Sequence, residues 1–407
     1  MPHNNSVLHE VLKHLPDGRF EALVEAYRAD ERARQLSTRS QLIAMAYGQL
    51  SGAPSLRTIV ADLDSHAARL YHVGCDPVRR STLAEANRTR PAALFGALLE
   101  DLMAQAHRGL RRHVGESIHL IDSTSVRLSP FSASWSRFSA KACGAKTHVV
   151  YDPDADRPIY AAVTKASVND ITAAQAMPIT AGATYVFDLG YYDYRWWARL
   201  HKAGCRIVTR FRASTPLTVT ATRPVPWDGS ILSDRVGLLP ERQAGNRRNP
   251  FQATVREVRV RLETGKILRI LSNDLTLSAR QIADLYKRRW AIELFFRWVK
   301  QTLRIRKFFG TSENAIRIQI AVALIVFILL RLAQATQSAI TSPLLFARLV
   351  RTNLMHGRRI DQLIGPKSRT SRKPAGPQAA TLRNPIEPSR RSTAQARVPA
   401  KQETIIQ

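Results

Sequence analysis

Apolar residues recur at helical spacing in three N-terminal segments, VLHEVLKHL, QLIAMAYGQL and LRTIVADL. That pattern predicts helices through residues 1 to about 107. Pro54 with Ser55 opens one helix, and Thr82 with Glu85 makes a capping-box pattern before another. Pro91 suits the first turn of the helix AALFGALLEDLMAQA. From Ser117 the character changes. SIHLID (117–122) is a nearly continuous apolar run, the pattern of a buried strand. The strands KTHVVYD (146–152) and IYAAVTK (159–165) follow, and the Asp- and Pro-rich turn DPDADRP joins them as a hairpin. A helix starts near Asn169, ATYVFD (183–188) is another buried strand, a helix runs through Tyr194 to His201, and CRIVTR (205–210) is a fifth strand. Three hairpin-type strands followed by strand–helix alternation predict a mixed α/β sheet.

Residues 211–274 read as a β-rich unit interrupting that core. Val258, Val260 and Leu262 alternate with Arg259 and Arg261, which predicts a half-exposed strand with a basic face. Ser278 then caps one long helix, ARQIADLYKRRWAIELFFRWVKQTL. The most apolar run, Ile318 to Leu330, is 13 residues long and bracketed by Arg317 and Arg331. It falls short of the ~18–20 residues that span a bilayer, so it reads as a buried helix and no membrane is expected. After about Thr352 the periodicity is lost.

The chain has 407 residues, enough for two or three domains with a sizeable core. Its 61 Lys and Arg against 32 Asp and Glu give a net charge of +29, which points to a polyanionic partner, nucleic acid above all. The helical region, with Arg79, Arg80, Arg88 and Arg90 between its helices, reads as a DNA-binding domain or as a scaffold or dimerisation unit. Cys75, Cys143 and Cys205 are too scattered for a zinc site or a disulfide framework. A reducing, cytoplasmic setting fits, and the N-terminus lacks the apolar core of a signal peptide. Residues 351–407 hold 12 Lys and Arg, 3 Asp and Glu, and six prolines, so 352–407 is expected to be a disordered basic tail.

Candidate chemistry begins with two aspartates, Asp122 and Asp188, each closing a buried strand. A carboxylate held there is placed to coordinate a hard cation, although a strand-terminal Asp also commonly caps a turn. The helix after Ser278 is more informative. At ~100° per residue, Tyr286, Arg289, Glu293 and Lys300 fall within a ~60° stripe, with Arg297 nearby. Glu293 is the lone acid among eight Lys and Arg in residues 286–308. It is either half of an i,i+4 salt bridge or a metal ligand flanked by phosphate-binding cations, and the stripe favours the second.

The spacing Y-x2-R-x3-E-x6-K at Tyr286, Arg289, Glu293 and Lys300 resembles the signature of the insertion-sequence-4 family of DDE transposases. IDST (121–124), HVVYDPDADRP, FDLGYYDY (187–194) and FGTSENA (309–315) resemble the family's neighbouring motifs, and the likeness covers roughly residues 5 to 365. It implies a ribonuclease-H-like catalytic core at 115–345, interrupted by a β-rich insertion at about 211–274 and preceded by an all-helical N-terminal domain at 1–107. Asp122, Asp188 and Glu293 would be the catalytic, metal-binding triad for two Mg²⁺ ions, with Mn²⁺ able to substitute. Two such ions, spaced ~3.5–4 Å apart, serve in-line phosphodiester attack and leaving-group departure. Tyr286, Arg289, Lys300 and Arg297 would bind DNA at the transposon end. Implied partners are double-stranded DNA, as inverted repeats and target, and a second copy in a homodimeric synaptic complex near the nucleoid. The implied activity is cut-and-paste transposition, with a hairpin at the transposon end as one route. The tail after about Lys367 does not resemble a family terminus. Two rival readings are a nuclease that cuts without joining and an inactive relative that only binds DNA.

Overall fold

The computed structural model describes residues 6–110, 117–140, 142–225, 227, 229–242, 247–302 and 308–363. Seven helices open the chain: α1 (Val7–Leu12), α2 (Asp17–Ala26), α3 (Thr38–Ser51), α4 (Leu56–Ser65), α5 (Ala67–Leu70), α6 (Arg80–Thr89) and α7 (Ala92–Leu110). Ser6, Ser37 and Ser55 cap α1, α3 and α4 through their hydroxyls, each accepting a backbone N–H three residues on. The expected capping box at Thr82 and Glu85 does not form. Both residues lie inside α6, where Thr82 bonds back to the Arg79 carbonyl and Glu85 pairs with Arg88.

The sheet strands are β1 (Ile118–Leu128), β2 (Arg137–Ser139), β3 (Ala142–Asp152), β4 (Arg157–Lys165), β5 (Thr184–Phe187), β6 (Arg206–Arg210), β7 (Thr218–Arg223), β8 (Ile231–Leu238), β9 (Val255–Arg261) and β10 (Ile267–Ser272). α8 (Ala133–Ser136) precedes β2, α9 (Asp170–Ala176) follows β4, and α10 (Tyr194–Lys202) joins β5 to β6. The order runs β3-β1-β5-β6-β10-β9-β8-β7, with β2 and β4 pairing β3. β1, β5 and β6 are parallel neighbours, while β3 and β4 pair antiparallel. The mixed α/β expectation is met. The β-rich segment is no separate unit, however: β10 pairs β6, so β7 to β10 extend the central sheet.

β1 also runs further than expected. Ser123, Thr124 and Ser125 are residue types that favour turns, but the ladder with β3 carries the strand on to Leu128. Asp122 therefore sits within β1, level with the end of its parallel partner β5.

Alternation along β1 divides the core in two. Leu120 and Val126 face one apolar layer, and Ile121 faces the other, with Val150 opposite it on β3. On the first side lie α11 (Ala279–Arg288), α12 (Trp290–Thr302) and α13 (Glu313–Ala335) with the N-terminal helices. α9 and α10 cover the second, where Phe187, Tyr191, Trp196 and Trp197 pack together. α13 is apolar and long enough to cross a membrane, yet 83% of its most apolar window is buried inside the fold, against α7 and α3.

The boundary of the tail moves. α14 (Pro343–Asn353) is followed by buried Leu354, Met355, Ile360 and Leu363. The backbone N–H groups of Val7 and Leu8 donate to His356 and Leu354 at 3.0 and 2.8 Å. Residues 352–363 thus belong to the fold because four apolar side chains bury there. The rest of the expected disordered tail lies outside the described residues.

Candidate active site

Parallel pairing fixes where the two aspartates stand. Ile118 pairs with Thr184 and Leu120 with Val186, and continuing that register sets Asp122 beside Asp188. Each carboxylate is steadied locally. Asp122 Oδ1 accepts from its neighbour's N–H, Ser123, at 2.7 Å, and Asp188 Oδ1 accepts from the Gly190 N–H at 2.8 Å. Asp188 begins the 3₁₀ turn Leu189–Tyr191, so its side chain is held by the turn it starts.

The expected single long helix is broken. α11 ends at Arg288 and α12 begins at Trp290. At the break, Arg289 N–H bonds to the Tyr286 carbonyl at 3.1 Å, and Ile292 N–H bonds to the Arg289 carbonyl at 3.2 Å. These three-residue bonds tighten the turn and restart the helix. Glu293 then lies in the first turn of α12, where the helix dipole favours a carboxylate. The stripe survives the break in one respect: Arg289 Nη1 reaches Glu293 Oε1 at 2.7 Å.

The three acids share one electrostatic field. Burial, with the charges of Asp188 and Glu293 added, pushes the Asp122 carboxyl up to about 6, against the lowering effects of the Ser123 N–H and Arg289. Burial also works against the Arg289 charge, but Tyr286, Glu293 and Asp122 outweigh it and hold the guanidinium protonated. That guanidinium lies 5.7 Å from the centroid of the Tyr286 ring. Its Nε is a buried donor without a hydrogen-bond partner.

Of the other expected DNA-binding residues, Arg297 is exposed on α12. Lys300 lines a small crevice with Thr124, Val126 and Phe295, two residues along β1 from Asp122. Tyr286 is only 8% exposed, so in this conformation its ring packs into the core beneath Arg289.

Two charged groups escaped the sequence reading. Arg210, the last residue of β6, is close enough to lower the Tyr286 hydroxyl against the upward push of burial. Its position was visible, since it closes a buried strand as Asp188 does. Asp170 opens α9 and accepts from Ser123 Oγ at 2.6 Å. No sequence signal marked it, because an acid in a helix's first turn is commonplace.

Arg90 of the candidate DNA-binding domain and several insertion-strand arginines are used internally. Arg90 is buried and donates to the carbonyls of Ala29, Leu36 and Ser37. On the insertion strands, Arg235, Arg259 and Arg269 converge on the fully buried Glu257. The basic face expected of β9 is in part neutralised by that acid.

The family model for the Transposase DDE domain matches residues 114–329, a span that contains Asp122, Asp188 and Glu293. The chain belongs to this family. It is a DNA transposase. A second model, for a domain of unknown function, matches residues 3–76. A Sinorhizobium fredii protein named as a transposase, y4zB, is 39% identical over 267 residues, covering 65% of this chain and 73% of its own. A Geobacillus stearothermophilus protein named as the transposase for insertion sequence element IS5377 is 28% identical over 255 residues, covering 62% of this chain and 66% of its own. Among solved structures, the piggyBac transposase synaptic complex with hairpin DNA gives a loose likeness, with a TM-score of 0.44 and 12% identity over 89% of this chain and 83% of that one.

DDE transposases generally use divalent metal ions. The donor set here suits them: three carboxylates offer hard oxygen ligands, and burial, with smaller contributions from Asp188 and Glu293, raises the Asp122 carboxyl. Among the described residues, however, no three acidic, His or Cys side chains close into a ligating group. Ser123, Gly190 and Arg289 each engage one of the three carboxylates.

Proposed function

We propose that this transposase excises and inserts an insertion sequence by phosphodiester hydrolysis and strand transfer, with Asp122, Asp188 and Glu293 as the metal-binding triad. The observation that carries the reading is the convergence of three acids from three separate segments, with Asp122 buried beside Asp188 and Glu293 and its carboxyl raised to about 6, chiefly by burial. A bound divalent cation would offset both the burial of that charge and the repulsion from its neighbours. Divalent cations held there, Mg²⁺ or Mn²⁺, would supply activation of the attacking hydroxyl and charge compensation at the leaving oxygen. The strand order β4-β3-β1-β5-β6, with its parallel centre and antiparallel hairpin, supports a ribonuclease-H-like core.

The chain's own residues do the positioning. β1 and β5 hold two carboxylates side by side, and α12 brings the third over the sheet. Arg289, paired with Glu293, places a cation beside the acids that would face the DNA backbone, and Arg297 and Lys300 extend that basic track along α12. The Y-R-E-K spacing supports placement in the insertion-sequence-4 family. Synapsis as a homodimer, close to the nucleoid, is part of the same reading.

The test uses the full chain, a DNA fragment bearing the element's own ends, and a target plasmid. End cleavage followed by joined product, both needing a divalent cation, is the expected result. Cutting without joining would make the protein a nuclease only, and end-specific binding without cutting would make it an inactive relative.

A further inference from the structure

Behind the triad, on the opposite face of β1, a second polar cluster is built from four elements. Ser123 pairs with His148 across the β1–β3 ladder, and Ser125 pairs with Lys146, so these side chains share a face. Asp170 of α9 closes over them. Its Oδ1 accepts from Ser123 Oγ at 2.6 Å and forms an ion pair with Lys146 Nζ at 3.1 Å, while Lys146 donates to the Val168 carbonyl at 3.0 Å. His148 Nδ1 stands 3.6 Å from the same oxygen, while its Nε2 meets Thr164 Oγ1 at 2.8 Å. Burial holds His148 near 4, against the pull of Asp170, so it is neutral and Lys146 is the cation that answers the carboxylate. The ion pair is well shielded, with the Lys146 and Asp170 side chains 14% and 27% exposed.

The other oxygen of Asp170 faces the second aspartate's turn. A methyl group built on Gly190 would stand 3.3 Å from Asp170 Oδ2 and 3.1 Å from Asp188 Oδ1. Gly190 is therefore confined between the two carboxylates, and its N–H is the donor that holds Asp188. Ser123, gripped by Asp170 through its hydroxyl, supplies the N–H that holds Asp122.

We propose that Asp170 is a positioning residue that sets the spacing of Asp122 and Asp188 through Ser123 and Gly190, with Lys146 fixing it in place. This rests on the metal-binding reading of the triad. Asp170 is not itself a ligand: Ser123 and Lys146 occupy its Oδ1, and it works from the face of β1 opposite Asp122. Partners in this position typically change metal affinity or activity by about 10–100-fold when removed.

The experiment measures Mn²⁺ affinity of the full-length protein by electron paramagnetic resonance, the Mn²⁺ concentration for half-maximal end cleavage, and the thermal midpoint. Wild type is compared with Asp170→Ala, Ser123→Ala, the double variant and Asp188→Ala. The expected result is Mn²⁺ affinity weakened about 10-fold or more in Asp170→Ala, a smaller loss in Ser123→Ala, and a double variant no worse than Asp170→Ala alone. Asp170→Asn, which keeps an acceptor for Ser123, should recover part of the loss. Wild-type affinity in a folded Asp170→Ala overturns the proposal and leaves the triad intact. A loss as complete as that of Asp188→Ala also overturns it, by making Asp170 a ligand. If Asp188→Ala itself binds Mn²⁺ like wild type, the triad reading falls and takes this proposal with it.

Discussion

Arg289 and Glu293 are joined at 2.7 Å across the restart of the helix, with side chains 15% and 34% exposed. An i,i+4 pair on a helix surface adds only about 0.2–0.5 kcal/mol. Here the same contact sits beside Asp122, and Arg289 answers the charges of both Glu293 and Asp122. Arg289→Ala should therefore do more to the site than to the fold. The thermal midpoint should move little, while end cleavage falls at least 10-fold, the size expected of a lost charge-assisted contact of about 1.5–3 kcal/mol. Cleavage rates of the purified variant check this, and a near-normal rate would remove Arg289 from the DNA-contacting set.

The raised Asp122 carboxyl makes a pH prediction with a definite sign. Its proton is held more tightly in the folded than in the unfolded chain, so metal-free stability declines as pH rises from the ordinary 3.8 through about 6. Asp122→Asn removes that penalty and should raise the thermal midpoint in EDTA at pH 7. It should not do so at pH 4, where the native carboxyl is already protonated. Cation binding requires the ionised form, so wild-type Mn²⁺ affinity should weaken as pH falls through about 6. Melting curves and titrations across pH 4 to 8 decide both points; a flat profile contradicts the crowding of the three acids.

Lys300 lines the crevice beside Thr124 and extends the basic track of α12. Lys300→Ala should weaken binding to the element's ends and lower the slope of log affinity against log salt by about 1. Affinity measured between low and moderate salt gives the slope, and an unchanged value would exclude a phosphate contact.

One ion pair serves stability alone. Asp234 and Arg256 on β8 and β9 are each 1% exposed, and Arg256 Nε donates to Asp234 Oδ1 at 2.6 Å. Asp234→Ala leaves a buried guanidinium without its partner and should cost about 3–5 kcal/mol. Denaturant unfolding measures this. A cost below about 1 kcal/mol would mean that water or another acceptor replaces Asp234.

Local patterning explains what the sequence disclosed. The buried strands around Asp122 and Asp188 stand out because apolar runs end at single acids, and Glu293 stands out as an acid among cations. Contacts between distant segments were hidden. Nothing near Arg289 announces a helix break, since no Gly or Pro is present and the turn is made by three-residue backbone bonds. The extension of β1 beyond Asp122 came from pairing with β3, which overrode the turn preference of Ser-Thr-Ser. Asp170 lies 47 residues from Ser123 and meets it only when α9 folds over the sheet. The pairing of Arg235, Arg259 and Arg269 with Glu257 was hidden because charge counts do not reveal which cations are paired inside the fold.

The central claim is that three acids, on β1, just past the end of β5 and on α12, form one cation-dependent cleavage site. The most direct measurement is cleavage of DNA bearing the element's ends, by wild type and by Glu293→Ala, in Mg²⁺ and in EDTA, with end binding followed in parallel. The account predicts cutting only by wild type in Mg²⁺, with both proteins still binding the ends. Equal cutting by Glu293→Ala, or cutting that persists in EDTA, would contradict it.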